Sequence, residues 1–172
     1  MICHEEDICN EGAIQNLLAS IKSRVIFHTA APLAGDPRIK PAQHHRITVE
    51  GTKNVLASAK TSPTVKALGY TSICAVSRGY QHDNVEETAS LWEPDSKTIP
   101  YLKAKALGDS LVCKANTPID RHGKGLLTAA IRVPFVDGER DIQTIPGMLK
   151  STRQGQTKIQ PAKTQAVWSP FA

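Results

Sequence analysis

Apolar positions 13, 14, 17, 18 and 21 in Ala-Ile-Gln-Asn-Leu-Leu-Ala-Ser-Ile share one helical face, so the spacing predicts a helix over 13–21. The run from Val25 to Ala31, closed by Pro32, predicts a short buried strand, and a loop containing Pro and Gly follows to Pro41. Helical spacing returns over 48–59, with Val49, Val55, Leu56 and Ala59 facing inward, and Thr61-Ser62-Pro63 ends it. Val65 to Val76 predicts a second strand, and the polar stretch 77–99 reads as loop. A third helix is predicted over 101–116, with Leu102, Ala106, Leu107, Leu111 and Val112 available for packing. Leu126 to Arg132 predicts a third strand, Pro134 to Gly138 a turn, and 145–153 a short helix with Pro146 in its first turn.

Helices alternating with strands in this way predict an α/β fold built on a parallel sheet. Right-handed crossovers place ligands beyond the carboxyl ends of such strands. Three segments fall there: His28-Thr29-Ala30-Ala31-Pro32, Thr71-Ser72 and Arg132-Val133-Pro134.

Composition narrows the possibilities. A length of 172 residues suits one domain or a piece of a larger one, and an aromatic content of 5% predicts a core of Val, Ile, Leu and Ala. The net charge of +5 comes from dispersed lysines without stacking aromatics between them, which argues against nucleic acid as a partner. No apolar run approaches the roughly 20 residues of a membrane-spanning helix. Cys3, Cys9, Cys74 and Cys113 form no Cys-x-x-Cys pair and follow no secretory signal, so reduced thiols in an intracellular protein are expected. Cys74 and Cys113 read as small core hydrophobes. His4 between Cys3 and Cys9 lacks a second ligand pair, so no metal site is expected. His44-His45 reads as an exposed surface pair, and His28 as a satisfied core histidine.

Tyr101 and Lys105 are the chemically suggestive pair. Four residues apart on a helix, they share a face about 5–6 Å apart at Cβ. An ammonium there favours phenolate, drawing the tyrosine pKa down from about 10. Such a phenol exchanges a proton with an alcohol or ketone while a nicotinamide exchanges the hydride.

Several segments, in order, resemble the 3β-hydroxysteroid dehydrogenase family of extended short-chain dehydrogenase/reductases. They are Asp7-Ile8, Val25 to Pro32, Val49-Glu50-Gly51-Thr52-Lys53-Asn54-Val55, Tyr70-Thr71-Ser72, Tyr101 to Lys105, Gly138-Glu139-Arg140-Asp141 and Ile145-Pro146-Gly147-Met148-Leu149. Within the family the likeness is to the fungal sterol-4α-carboxylate 3-dehydrogenases. The resemblance implies a Rossmann-like doubly wound parallel sheet and NAD or NADP as cofactor. It implies oxidation of the 3β-hydroxyl of a sterol-like substrate. It makes Tyr101, Lys105 and Ser72 catalytic. Asp7 and Ile8 would contact adenine, Thr29, Ala30 and Ala31 would lie under the ribose, and Tyr101 and Lys105 would meet the nicotinamide end. It also implies a possible homodimer and a cytoplasmic or endoplasmic-reticulum-associated location.

The sequence departs from the family pattern at several points. The resemblance leads us to expect a fragment: a partial sheet missing its first βαβ unit with the glycine-rich phosphate turn, and missing the C-terminal substrate region. On that reading residues 1–160 form the partial NAD(P)-binding domain and 161–172 an irregular tail. Ile73 occupies the place of a Ser or Thr hydroxyl, Thr48 that of an Asn, and Arg132-Val133-Pro134 replaces an Arg-Pro-Ala/Gly run. Two alternatives stay open: a non-catalytic truncated product or pseudoenzyme, and an extended reductase of secondary metabolism. The fragment reading predicts no nucleotide binding, poor solubility and an uncovered apolar sheet face.

Overall fold

The computed structural model describes residues 2–77, 88–93, 97–134, 136, 138–139, 141–142 and 144–155. These fall into two compact units, one ending at Pro134 and one comprising the described residues after it. The expected tail 161–172 and Arg140 lie outside the described residues.

The first unit opens with helix α1, Glu11–Ile21. Asn10 caps it: its side-chain oxygen accepts from the Ala13 amide at 3.2 Å, satisfying one orphan donor of the first turn. Lys22 closes it in the left-handed region, φ 49°, with its N–H on the Leu18 carbonyl. Strand β1, Val25–His28, is shorter than its apolar run suggests, and Thr29 to Ala31 lie beyond it. Helix α2, Pro41–His44, starts with Pro at its first position and continues as a π-helical turn, His45–Glu50, into helix α3, Gly51–Thr61. Helicity therefore begins seven residues before the spacing over 48–59 suggests. Strand β2, Ala67–Ile73, ends in a 3₁₀ turn, Cys74–Val76. Helix α4, Pro100–Lys114, and strand β3, Leu127–Val133, complete the unit. The second unit contains helix α5, Thr144–Arg153, where the Asp141 carboxylate accepts from the Ile145 amide at 2.8 Å. No helix among the described residues is long and apolar enough to cross a membrane.

The three strands form a parallel sheet in the order β1-β2-β3, with Val25 opposite Ala67 and Ala67 opposite Leu127. Because side chains alternate, Leu68, Tyr70 and Ser72 all point to one face and are buried. That face carries the core: Leu68 and Tyr70 with Ile14 and Leu18 of α1, Val55, Leu56 and Ala59 of α3, and Val112 of α4. Among the described residues the opposite face is open. Val25, Phe27, Leu127 and Ile131 are exposed, Phe27 by 77%. The short buried strand expected at 25–31 is thus buried only at its His28 end, because no helix among the described residues covers its other side.

Two cysteines correct the sequence reading. Cys74 and Cys113 are exposed, one on the turn after β2 and the other near the end of α4, where its Sγ still reaches the Asp109 carboxylate at 3.8 Å.

Helix α4 approaches β2 closely at Gly108. A Cβ built there would lie 2.6 Å from the Tyr70 hydroxyl oxygen and 3.1 Å from Cζ. Tyr70 is fully buried and has no room to swing away. Gly108→Ala gains about 1 kcal/mol of helix propensity but overpacks this contact at about 1–3 kcal/mol. A net loss on the order of 1 kcal/mol is expected in urea unfolding. The Gly108→Ala/Tyr70→Phe double variant should recover it, because the clashing oxygen is gone.

Candidate active site

The predicted pair lies on the first two turns of α4, which packs on β2. Pro100 stands at the first helical position after an extended Ile99, so Tyr101 sits in the opening turn and Lys105 one turn further on. Lys105 is buried, 4% exposed, and points back onto β2. Its Nζ donates to the Thr71 carbonyl at 2.8 Å and lies 4.9 Å from the centre of the Tyr70 ring. The carbonyl dipole and the ring face hold the ammonium, but burial still disfavours the charge and lowers the pKa to about 8.

Tyr101 is half-buried, and burial pushes its phenol above the ordinary value. The expected depression by Lys105 is not found. Desolvation outweighs the ammonium, whose Nζ is engaged with the strand carbonyl. The nearest described ring to Tyr101 is His44, 5.8 Å away between centroids and edge-on at 78°. His44 is buried, which corrects the reading of 44–45 as a surface pair; His45 alone is exposed. The helix begins at Pro41, so His44 lies one turn before buried Thr48 on the inward side.

His28 ends β1 as a satisfied core histidine, as expected. Its Nε2 lies 2.9 Å from the Thr52 hydroxyl, and its ring is 5.3 Å from that of Tyr70. Thr52 gives its only hydroxyl hydrogen to the Thr48 carbonyl. It therefore accepts from His28, which fixes the Nε2–H tautomer. Burial first, then the Lys105 charge, lowers the His28 pKa to about 4. Thr29 and Ala30 are exposed beyond the strand end and Ala31 is half-buried.

Ser72 is enclosed between β2 and α4 beside Asp109, whose carboxylate it helps to keep ionised, although its Oγ completes no hydrogen bond of its own. Asp109 is fully buried and is gripped by Arg132 of β3: Nε to Oδ2 at 3.0 Å and Nη2 to Oδ1 at 2.9 Å. Burial raises the Asp109 pKa, but the hydrogen bonds and charge of Arg132, with Ser72 close by, outweigh it and the net shift is downward. Ser72 thus faces the ion pair. Thr71 and Ile73 alternate to the other face, and Ile73 has no polar group to offer.

The Asp7–Ile8 segment is docked on α3. The Ile8 carbonyl accepts from Asn54 Nδ2 at 3.1 Å, and the Ile8 side chain fills the notch at Gly51, where a Cβ would lie 2.5 Å from Cδ1. Asp7 does not cap α1. Its carboxylate accepts from the Cys9 amide at 2.9 Å and meets Arg46 at 3.5 Å, while remaining largely solvent-facing. Gly51 therefore serves close packing.

Sequence reasoning did not find His44 or Asp109 as parts of this cluster, and it named Tyr70 only within the strand segment 70–72 without a role of its own. Pro41 at a helix start was the signal for His44, and the period-2 burial of β2 was the signal for Tyr70. Asp109 stands one turn after Lys105 on α4, a spacing readable in advance.

The family profile that matches residues 1–171 is that of the 3-beta hydroxysteroid dehydrogenase/isomerase family. The chain belongs to this family. It is 32% identical over 155 residues to the sterol-4-alpha-carboxylate 3-dehydrogenase, decarboxylating, of Schizosaccharomyces pombe, covering 90% of this chain and 42% of that protein. It is 30% identical over 173 residues to the 3beta-hydroxysteroid-dehydrogenase/decarboxylase isoform 1 of Arabidopsis thaliana, covering 91% of this chain and 37% of that protein. The chain thus spans about two fifths of the length of the curated relatives it matches. Among solved structures it resembles the Bordetella bronchiseptica enzyme WbmG in complex with NAD, with a TM-score of 0.68 and 20% identity over 88% of this chain and 44% of that one. It also resembles a GDP-L-fucose synthetase from Naegleria fowleri bound to NADP, with a TM-score of 0.65 and 18% identity over 87% of this chain and 48% of that one. These likenesses establish the fold as Rossmann-like, with the parallel sheet anticipated from the alternating elements.

Proposed function

We propose that this chain carries the proton-transfer part of an NAD- or NADP-dependent oxidation of a secondary alcohol, the 3β-hydroxyl of a sterol-like molecule. The observation that carries this reading is the placement of Tyr101 and Lys105 on adjoining turns of α4 at the carboxyl end of β2, with the Lys105 ammonium fixed on the Thr71 carbonyl. The relatives named as sterol 3-dehydrogenases supply the substrate class. The residues present fit the cofactor: a buried ammonium with three donors, of which Thr71 takes one, and an exposed carboxylate at Asp7 docked by α3.

A bound NAD or NADP supplies a two-electron acceptor for the hydride. Tyr101, as phenolate, takes the hydroxyl proton while the carbinol carbon gives up hydride and the C=O bond forms. Lys105 holds positive charge beside the phenol and the ribose hydroxyls. Asp7 and Ile8 would hold the adenine end of the cofactor, and Thr29, Ala30 and Ala31 would border its ribose. Ser72 acts through Asp109, steadying the α4–β2 contact that aims Tyr101.

The test is nicotinamide absorbance in the presence of a 3β-hydroxysterol and either cofactor. Tyr101→Phe should lower the rate roughly 10²–10⁴-fold while sparing nucleotide binding, and Lys105→Met should weaken both. Burial puts the Tyr101 phenol above about 10 and Lys105 at about 8. The oxidising form, phenolate with ammonium, is therefore expected to peak above pH 8, giving a bell displaced to the alkaline side. Ile73 favours a second reading, a non-catalytic family member, because the hydroxyl expected at its place is missing. Nucleotide binding without alcohol-dependent reduction would establish that reading and sink the first.

A further inference from the structure

We infer that His44 is the positioning residue of Tyr101. The imidazole meets the phenol ring edge-to-face at 5.8 Å and 78°, a geometry that aromatic quadrupoles favour. His44 is buried, 6% exposed, and its Nδ1 has no hydrogen-bond partner among the described residues. The backbone device is the π-helical turn His45–Glu50, which follows His44 directly and joins α2 to α3. Such turns are rare and cluster at functional sites.

Around Tyr101 the described titratable groups are His44 from α2, Tyr70 from β2 and Lys105 from its own helix. Lys105 is tied to the Thr71 carbonyl and Tyr70 lies beneath Lys105. That leaves His44 as the described ring that flanks the phenol. It fixes the ring plane of Tyr101, and so the direction of the hydroxyl, before any ligand arrives. The importance of that direction rests on Tyr101 being the proton-transfer group.

The chain has three tyrosines, so 3-fluorotyrosine labelling gives three ¹⁹F signals, with Tyr101 assigned through Tyr101→Phe. In wild type and in His44→Phe, which keeps the ring, the Tyr101 signal should be dispersed and its ring flips slow. In His44→Ala it should collapse toward the free fluorotyrosine position with fast flipping, while the Tyr70 signal, reporting the core, stays unmoved. A Tyr101 signal unchanged in His44→Ala, or His44→Phe behaving like His44→Ala, overturns the inference. If His44→Ala loses the Tyr70 signal and so fails to fold, the unmodified protein decides: a proton–proton Overhauser contact between the two rings supports the inference and its absence refutes it. No nicotinamide enters this experiment. Failure to turn over an alcohol would therefore count against the proposed function alone, and a mobile Tyr101 ring against this inference alone.

Discussion

Asp109→Ala is expected to lower the unfolding free energy by about 3–5 kcal/mol, the cost of breaking an ion pair whose carboxylate is fully buried and held at both oxygens. The carboxylate is fully buried and the Arg132 side chain is 20% exposed, so water replaces little of what is lost. Both carboxylate oxygens are engaged by the guanidinium, and Ser72 and Cys113 lie against the same group. Removing both partners is a different experiment. An Asp109→Leu/Arg132→Met double variant buries apolar groups in place of the pair and should recover most of the loss. Urea midpoints of the three proteins check this directly. A single Asp109→Ala variant within 1 kcal/mol of wild type, by the scale of about 1 kcal/mol for exposed pairs, would mean that the pair is not closed in solution. The pH dependence has a definite sign. The folded-state pKa of Asp109 is depressed, so its contribution is present in full above the unfolded value of about 3.9 and is lost as pH falls through the lower folded value. The gap between wild type and Asp109→Ala should therefore narrow only in strong acid.

The functional consequence follows from where the pair sits. Asp109 stands one turn beyond Lys105, and Arg132 reaches it from β3 across the end of β2. The pair ties the helix that bears Tyr101 and Lys105 to β3, and the Lys105 bond to the Thr71 carbonyl ties it to β2. Ser72, adjacent to Thr71 whose carbonyl holds Lys105, is part of the same clamp.

How much of this was legible in the sequence differs element by element. The Tyr101–Lys105 spacing fixed their shared helix, because four residues is one turn and Pro100 marks the start. Period-2 alternation around Leu68, Tyr70 and Ser72 was equally readable, and it placed Ser72 on the opposite face from Ile73. Composition failed at the cysteines. Cys74 follows apolar Ile73 and Cys113 follows apolar Val112, but a 3₁₀ turn exposes the first and the last turn of α4 the second. It failed at His44 because the π turn breaks the 3.6-residue spacing on which the helix prediction rests, so the prediction began only at Thr48. The Tyr101 pKa was misjudged for another reason. The ammonium four residues away was visible, but the Thr71 carbonyl that captures it is a backbone group with no sequence signature, and burial then governs the phenol.

Acidification from neutral pH to about 4 is expected to cost on the order of 3 kcal/mol of stability through His28, more than any other described histidine. Its folded pKa is about 4 against about 6.5 unfolded. The difference of roughly 2.5 units, at 1.36 kcal/mol each, sets the scale. The folded state holds the ring neutral because the site is dry and the Lys105 ammonium is near. The unfolded chain takes up the proton first. The contribution of His28 is therefore whole above about pH 6.5, declines as pH falls, and is gone below about 4, where both states are charged. Lys105 does not confuse this window, since it is protonated in both states well below about 8. The Asp109 change lies at still lower pH, and His44 acts with the same sign as His28. His28→Leu isolates the effect: Thr52 keeps its hydrogen bond to the Thr48 carbonyl, so only one acceptor lone pair is left unmet. Urea unfolding at intervals from pH 7 to 4.5 should show wild type losing stability faster than His28→Leu by close to one proton per molecule. Parallel curves for the two proteins would mean that His28 titrates normally in the fold, and that the His28–Thr52–Tyr70 packing beneath Lys105 is wetter than its burial indicates.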